Sequence, residues 1–345
     1  MISLARTLRT ADYFTLGFGT MVGVGWLVLM DDWLRRGGPA GVILGFALGG
    51  LALVPIALVY GRLVMAMPDA GSEIAYTAGV FPSDVSFAAG WIMMLAYLIV
   101  CPWEAVAIGR LAAYVFPALD TWEIYRIGEK PVHLPNLLLG LALTAAITLI
   151  NYRGIRPSAS FQKWMTFALL AMFVAFAGSA IGRGSIENFH PPFSHGGWLS
   201  VLLVLQIVPY FMTGFESVPK CAEEASPEFR SGGFFRAILL ALLVGAIFYT
   251  SVVALVAYLR PWQTLATQRF ATAVAFEQAF RSHRMVDLLL LAALISLVKI
   301  FNGNFIAASR LLFALGRRGL VHRAFGCIHP RNLTPSVAVL ALGGV

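Results

Sequence analysis

Between Ala237 and Leu259 the chain carries no charged residue. A helix needs about 20 apolar residues to cross the hydrocarbon core of a bilayer, and this run supplies them. Strands of a membrane barrel would be about ten residues long and would alternate in polarity; this run does neither. Comparable segments recur at approximately Tyr13–Leu34, Pro39–Met67, Val85–Phe116, Leu134–Asn151, Ser158–Gly182, Trp198–Cys221, Phe234–Leu259 and Val286–Leu315, and a ninth begins at Pro335. The expected class is an all-α integral membrane protein. Only 12% of the residues are charged, against about 25% in soluble domains, too few to cover a water-facing surface.

The net charge of +8 does not point to nucleic acid. The basic residues sit in small groups between apolar runs, as expected of loops on one side of a membrane. With the N-terminus in the cytoplasm, fourteen of the 25 Lys and Arg residues fall inside and nine outside. Lys220 and Arg310 are counted there as inner-loop residues, and Arg153/Arg156 and Arg317/Arg318 are the clearest inner clusters. The expectation is a multi-pass protein of the cell's inner (plasma) membrane. Arg6 and Arg9 precede the first run without a cleavage-site pattern, so that run reads as a retained helix. The last run reaches Val345 after only about ten residues, too short to cross. The reading is therefore a fold truncated after about eight to nine spans, unable to transport alone.

Cys101, Cys221 and Cys327 are far apart and form no CxxC pair, so neither a disulfide framework nor a zinc site is expected. His190 and His195 have no carboxylate or thiol beside them in the sequence, and no metal or cofactor is expected. An enzyme would show a nucleophile with its base or a metal cluster; no HExxH or GxSxG pattern occurs.

Two spans are interrupted. The first reads Gly17-Phe-Gly-Thr-Met-Val-Gly-Val-Gly25-Trp26. Each glycine weakens a helix by about 1 kcal/mol relative to alanine, so this stretch favours a local break. The sixth reads Pro209-Tyr-Phe-Met-Thr-Gly214-Phe-Glu216, with Pro219 soon after. Backbone groups freed at membrane depth are tolerated where they line a cavity or bind something. If the chain comprises two five-helix halves, spans one and six correspond, and paired interruptions of this kind mark a transporter's midplane site. Half-helix N-termini offer N–H groups to a carboxylate, and half-helix C-termini offer carbonyls to an ammonium. An amino acid zwitterion needs both. Plain helix packing is the alternative reading of these glycines. It is the preferred reading for Gly37, Gly41, Gly45 and Gly49, which form a smooth groove along span two.

With these residues in place, the chain resembles the amino acid–polyamine–organocation (APC) superfamily of permeases. Gly23-Val-Gly25 resembles that family's substrate loop. Pro68-Asp-Ala-Gly-Ser-Glu-Ile-Ala-Tyr76 resembles its loop after span two, and Asn151-Tyr-Arg-Gly154 its turn before span five. Gly214-Phe-Glu216, Ala222-Glu223-Glu224 and Pro227 resemble its sixth-span signature. Asn302-Gly303, Ser309-Arg310 and Thr334-Pro335 follow its eighth-span pattern.

The resemblance implies a LeuT-type fold of two inverted five-helix repeats. Residues 1–183 would form the first repeat (spans 1–5), and 184–345 an incomplete second (spans 6–8 and the start of 9). It implies that N–H groups at Val24, Gly25 and Trp26 hold a substrate carboxylate. Carbonyls near Met21, Tyr210 and Thr213 would receive the amino group, Gly23 and Gly214 would complete the substrate-binding set, and Tyr97 would stand near the inner gate. Arg62, Val24 and Trp26 depart from the common pattern and bear on substrate identity.

Glu104, Arg110, Glu216 and Lys299 lie inside expected spans, where an ionisable group is costly and a functional role is the default hypothesis. Glu216 is read either as a proton-binding group or as a brace for the sixth-span break. Lys299 is read as a cation near the site that a sodium ion takes in this fold, since the matching span-five position is Leu169. A desolvated lysine can exchange protons; a lysine facing a watery cavity without a coupling role is the alternative. Glu104 and Arg110, six positions apart, do not share a helix face and are given separate roles. The expected function is alternating-access transport of an amino acid or amine, with proton coupling or exchange favoured over sodium. A non-transporting sensor of the same fold is the alternative.

Overall fold

The computed structural model describes residues 3–128 and 130–345. The helices are α1 (Thr10–Met21), α2 (Gly25–Val28), α3 (Met30–Ala66), α4 (Glu73–Ala78), α5 (Ser83–Leu98), α6 (Val100–Val115), α7 (Leu134–Arg153), α8 (Ile155–Ala180), α9 (Gly197–Leu205), α10 (Val208–Met212), α11 (Ser217–Lys220), α12 (Gly232–Leu259), α13 (Trp262–Leu265), α14 (Ala271–Phe280), α15 (His283–Arg317) and α16 (Ser336–Gly343).

Among the described residues, six helices are long and apolar enough to cross a membrane: α3, the α5–α6 pair, α7, α8, α12 and α15. A seventh span is formed if α9 and the Val208–Lys220 stretch, bent by 48° to one another, are taken together. The first expected span, Tyr13–Leu34, is not one helix. It breaks after Met21, and Val22 to Val24 are not helical. Its C-terminal part runs into α3, whose Gly38 adopts φ 63° just before Pro39. That left-handed residue is the real boundary between the first two expected spans, and a glycine tolerates it without steric cost. The chain is also not purely helical. β1 (Glu123–Ile127) and β2 (Lys130–His133) form an antiparallel hairpin between α6 and α7. On this exposed hairpin the Arg126 guanidinium holds the Glu123 carboxyl below its usual range.

The glycine groove of α3 is filled by the sixth span. A Cβ built on Gly45 would lie 2.5 Å from Val204 Cγ1, and one on Gly49 would lie 2.4 Å from Val208 Cγ1. The missing side chains thus let two backbones approach where lipid offers no hydrophobic drive for association. α3 also packs along α12, and α1 lies between α12, α8 and α15. A second group joins α15 to α5 and α6, α6 to α7, and α16 to α7 and α15. The two interrupted spans meet in the first group, beside α15 of the second. Outward faces carry exposed apolar residues such as Leu51, Val59, Ile92 and Ile247, the pattern of a chain whose solvent is hydrocarbon.

Candidate functional site at the two helix breaks

The two unwound segments touch. Gly214 has φ 128°, and a Cβ there would stand 2.6 Å from the Met21 backbone nitrogen. Only glycine fits both the conformation and the approach. On the span-one side, Val24 O accepts from the Leu27 and Val28 N–H groups, which starts α2. Among the described residues, the N–H groups of Val24, Gly25 and Trp26 donate to no backbone carbonyl in this loop. Orphan donors of this kind at a helix start suit an anion. Phe211 closes over Gly25, its ring carbon 2.7 Å from where a Cβ would sit. Phe211 in turn packs edge-on against Trp33, which with Phe46 and Tyr249 forms an aromatic cluster. The Trp26 side chain is buried and turns its edge to Phe248.

The carbonyls expected to meet an amino group are partly occupied. Met21 O accepts from the Tyr249 hydroxyl at 3.4 Å. Tyr210 O accepts from the Thr213 hydroxyl at 3.4 Å, and both of these residues are exposed. Gly23 O accepts from Ser296 Oγ at 2.8 Å.

Lys299 is fully buried. Its ammonium donates to Gly19 O at 2.9 Å and to Val22 O at 2.6 Å, and lies 5.5 Å from the centre of the Phe18 ring. A cation from α15 therefore sits on the carbonyls that the break in span one frees. Leu169, the span-five position, is an ordinary buried apolar residue. Glu104 on α6 is buried, with Oε2 lacking a hydrogen-bond partner. Arg110 is exposed, and no ion pair joins it to Glu104 among the described residues.

Beneath the sixth-span break lies a buried polar network. Glu216 Oε2 accepts from the Gly214 N–H at 2.7 Å, and Oε1 from the Tyr97 hydroxyl at 3.0 Å. Lys220, fully buried, donates to Glu216 O at 2.8 Å and to Glu73 Oε1 at 2.7 Å. The same Glu73 oxygen accepts from the Tyr60 hydroxyl at 2.8 Å. One turn further on, Arg310 reaches Glu224 through Nε at 3.1 Å and Nη2 at 2.9 Å, with neither side chain exposed. Arg317 and Arg318 then pair with Glu223 and Asp69 at the surface. Finally, the segment before α1 closes over this layer. Thr7 and Leu8 N–H donate to Glu224 O, both at 2.9 Å, Ser226 N–H donates to Leu8 O, and Tyr13 Oη donates to Cys221 O at 2.8 Å. One end of the site is thus shut.

Lys220 and Arg310 correct the sequence reading. The loop-charge count puts them in inner loops, whereas they lie in α11 and α15, buried and paired with carboxylates as a buried charge requires. Glu73, Tyr60 and Phe211 were missed altogether. By sequence Glu73 falls in the loop after span two, and nothing local says that it turns inward. No group of three metal-ligating side chains occurs among the described residues.

Comparison with known proteins sets this geometry in a family. The model of the family described as "Amino acid permease" matches residues 8–345. The methylthioribose transporter of Bacillus subtilis (strain 168) is 27% identical, over 96% of this chain and 72% of its own length. The branched-chain amino acid permease BcaP of the same organism is 25% identical, over 99% and 73%. The aromatic amino acid transport protein AroP of Escherichia coli (strain K12) is 22% identical, over 96% and 70%. With the family model covering nearly the whole chain and the membrane-length helices of the fold, this multi-pass membrane protein belongs to the amino acid permease family of the APC superfamily.

Proposed function

We propose that this chain carries an amino acid or a related amine across the inner membrane by alternating access. The observation that carries the reading is the contact of the two interrupted helices, Gly214 against Met21. It brings orphan N–H groups and freed carbonyls to one place at membrane depth, as a zwitterion requires. In this reading the N–H groups of Val24, Gly25 and Trp26 hold the carboxylate. The carbonyls of Met21, Tyr210 and Thr213 receive the amino group, Gly23 and Gly214 complete the site, and Phe211 covers the occupant. Family members are permeases rather than enzymes.

The architecture proposed is the LeuT-type pair of inverted five-helix repeats, residues 1–183 and 184–345. Its support is the symmetry of the packing. Spans one and six exchange with spans two and seven, since α1 packs on α12 and α3 on α9. Span three packs on span eight through α5, α6 and α15, and span four on span nine through α7 and α16. Each contact maps onto another, or onto itself, when span numbers shift by five. The N-terminus is placed in the cytoplasm on the loop-charge bias.

Lys299 is proposed as the coupling cation. When charged it holds Gly19 O and Val22 O; once neutral it holds them more weakly and frees the break to move. Proton coupling or exchange follows, without sodium. Glu104 is the buried carboxyl that answers its charge, and Tyr97 and Glu216 act as braces beneath the site.

The test is uptake by the full-length protein in proteoliposomes of a labelled panel: branched-chain, aromatic and cationic amino acids, simple amines and methylthioribose. It is run with an inward proton gradient and separately with a sodium gradient. Accumulation under the proton gradient alone upholds the reading. Substrate binding without flux under either gradient, or after preloading the vesicles, would make the protein a sensor instead.

A further inference from the structure

A cavity of about 400 Å³ opens where α1 and α8 begin, lined among others by Arg6, Arg9, Asp12, Arg156, Lys163 and Glu228. Its charges do not cancel. The Asp12 carboxylate is already taken, by Lys163 Nζ at 3.1 Å and by the Arg9 backbone N–H at 2.9 Å. Arg6 Nε donates to Ala225 O at 3.1 Å, which leaves its charge unneutralised. Among the described residues, neither Arg9 nor Arg156 has a carboxylate partner. Four cations therefore face two carboxylates around a space large enough for a phosphate group. α1 and α8 both start at this cavity, and Trp164, beside Lys163 and the tenth residue of α8, is 72% exposed. Exposed indoles are enriched at membrane–water interfaces, where lipid headgroups lie.

We propose that this cavity binds a phosphate-bearing anion, with an anionic phospholipid headgroup as the source that the bilayer supplies. The phosphate bridges Arg6 and Arg9, on the segment before α1, to Arg156 and Lys163 on α8. Arginine forks suit phosphate oxygens, and lysine adds a point charge. The bridge has a consequence for gating. Arg6 and Arg9 flank Thr7 and Leu8, whose N–H groups hold Glu224 O and close one end of the site. A bound phosphate tethers that closing segment to α8 and favours the shut state. This consequence rests on the alternating-access reading; the binding site does not.

The test is native mass spectrometry of the full chain with phosphatidylglycerol, with phosphatidylcholine, and with phosphatidylglycerol plus millimolar inorganic phosphate. One phosphatidylglycerol should be retained in preference to phosphatidylcholine. R9Q/R156Q should weaken that retention roughly tenfold or more, since each basic side chain near an anionic headgroup contributes appreciably. R269Q/R284Q removes the same charge from the α13–α14 connection and the first turn of α15 and should leave retention unchanged. Competition by inorganic phosphate would show that the free anion is recognised as well, and no competition would show that the membrane anchor is needed; either upholds the site. Equal retention by R9Q/R156Q, or an equal loss in R269Q/R284Q, overturns it. Thermal unfolding of both variants checks that they fold. Uptake measured separately keeps a failure of transport distinct from a failure of this site.

Discussion

At the scale of single residues, Lys299 and Gly214 carry the most testable consequences. Lys299→Gln keeps a donor for the Gly19 and Val22 carbonyls while deleting the charge. The expected result is a folded protein that still binds substrate and exchanges it but no longer accumulates it on a proton gradient. A Lys299→Ala or Lys299→Gln protein with full gradient-driven uptake would sink the coupling role. Gly214→Ala has two independent faults: φ 128° and a methyl 2.6 Å from the Met21 nitrogen. Backbone strain of that kind alone costs about 1–3 kcal/mol. The variant should melt lower and lose substrate binding, read by thermal shift with and without ligand. Gly214 could be singled out in sequence because a glycine and a proline inside an apolar run contradict helix propensity locally. Lys220 and Arg310 could not be placed. Each sits near the end of an apolar run, where loop and core look alike, and each finds its carboxylate far along the chain. Glu73 is 147 positions from Lys220, and Glu224 is 86 from Arg310.

Among the elements, the spans were legible because lipid enforces length and apolarity on every one of them. Their boundaries were not. The C-terminal end of span one continues into α3, and only the φ of Gly38 marks the turn. The groove of Gly41, Gly45 and Gly49 could be read as a packing face, but sequence did not say that α9 and α10 would fill it. The Arg310–Glu224 pair ties α15 to the end of span six without any exposure. Removing one partner strands a buried charge and costs about 3–5 kcal/mol. Arg310→Met should therefore destabilise strongly. The double variant Arg310→Met/Glu224→Gln should recover a large part of the loss, since replacing both partners of a buried pair is often close to neutral. Denaturation midpoints in a fixed detergent measure this. Additive losses in the double variant would show that the pair is not coupled.

For the whole molecule, the surface ion pairs and the segment before α1 act as one closure, and a native thiol reports on it. Cys221 is fully buried beneath that segment, and its carbonyl accepts the Tyr13 hydroxyl. Cys327 is exposed and Cys101 is buried in the other helix group. In a C101S/C327S background, a water-soluble maleimide reads only Cys221. If the chain alternates its access, Cys221 is reached when α1 and its preceding segment swing away from span six. Labelling is then slow and tracks the population of the open state. Glu223→Gln removes the charge that pairs with Arg317 while keeping an oxygen for the Ala70 N–H. Such exposed pairs contribute about 0.2–1 kcal/mol each, and a shift of 1.4 kcal/mol is tenfold in population. Labelling should therefore quicken several-fold, with overall stability little changed. Substrate should alter the rate again, because it binds the two states unequally. A rate indifferent to both Glu223→Gln and substrate would mean that the closed end does not open in a working cycle, leaving a binding protein with a transporter's fold.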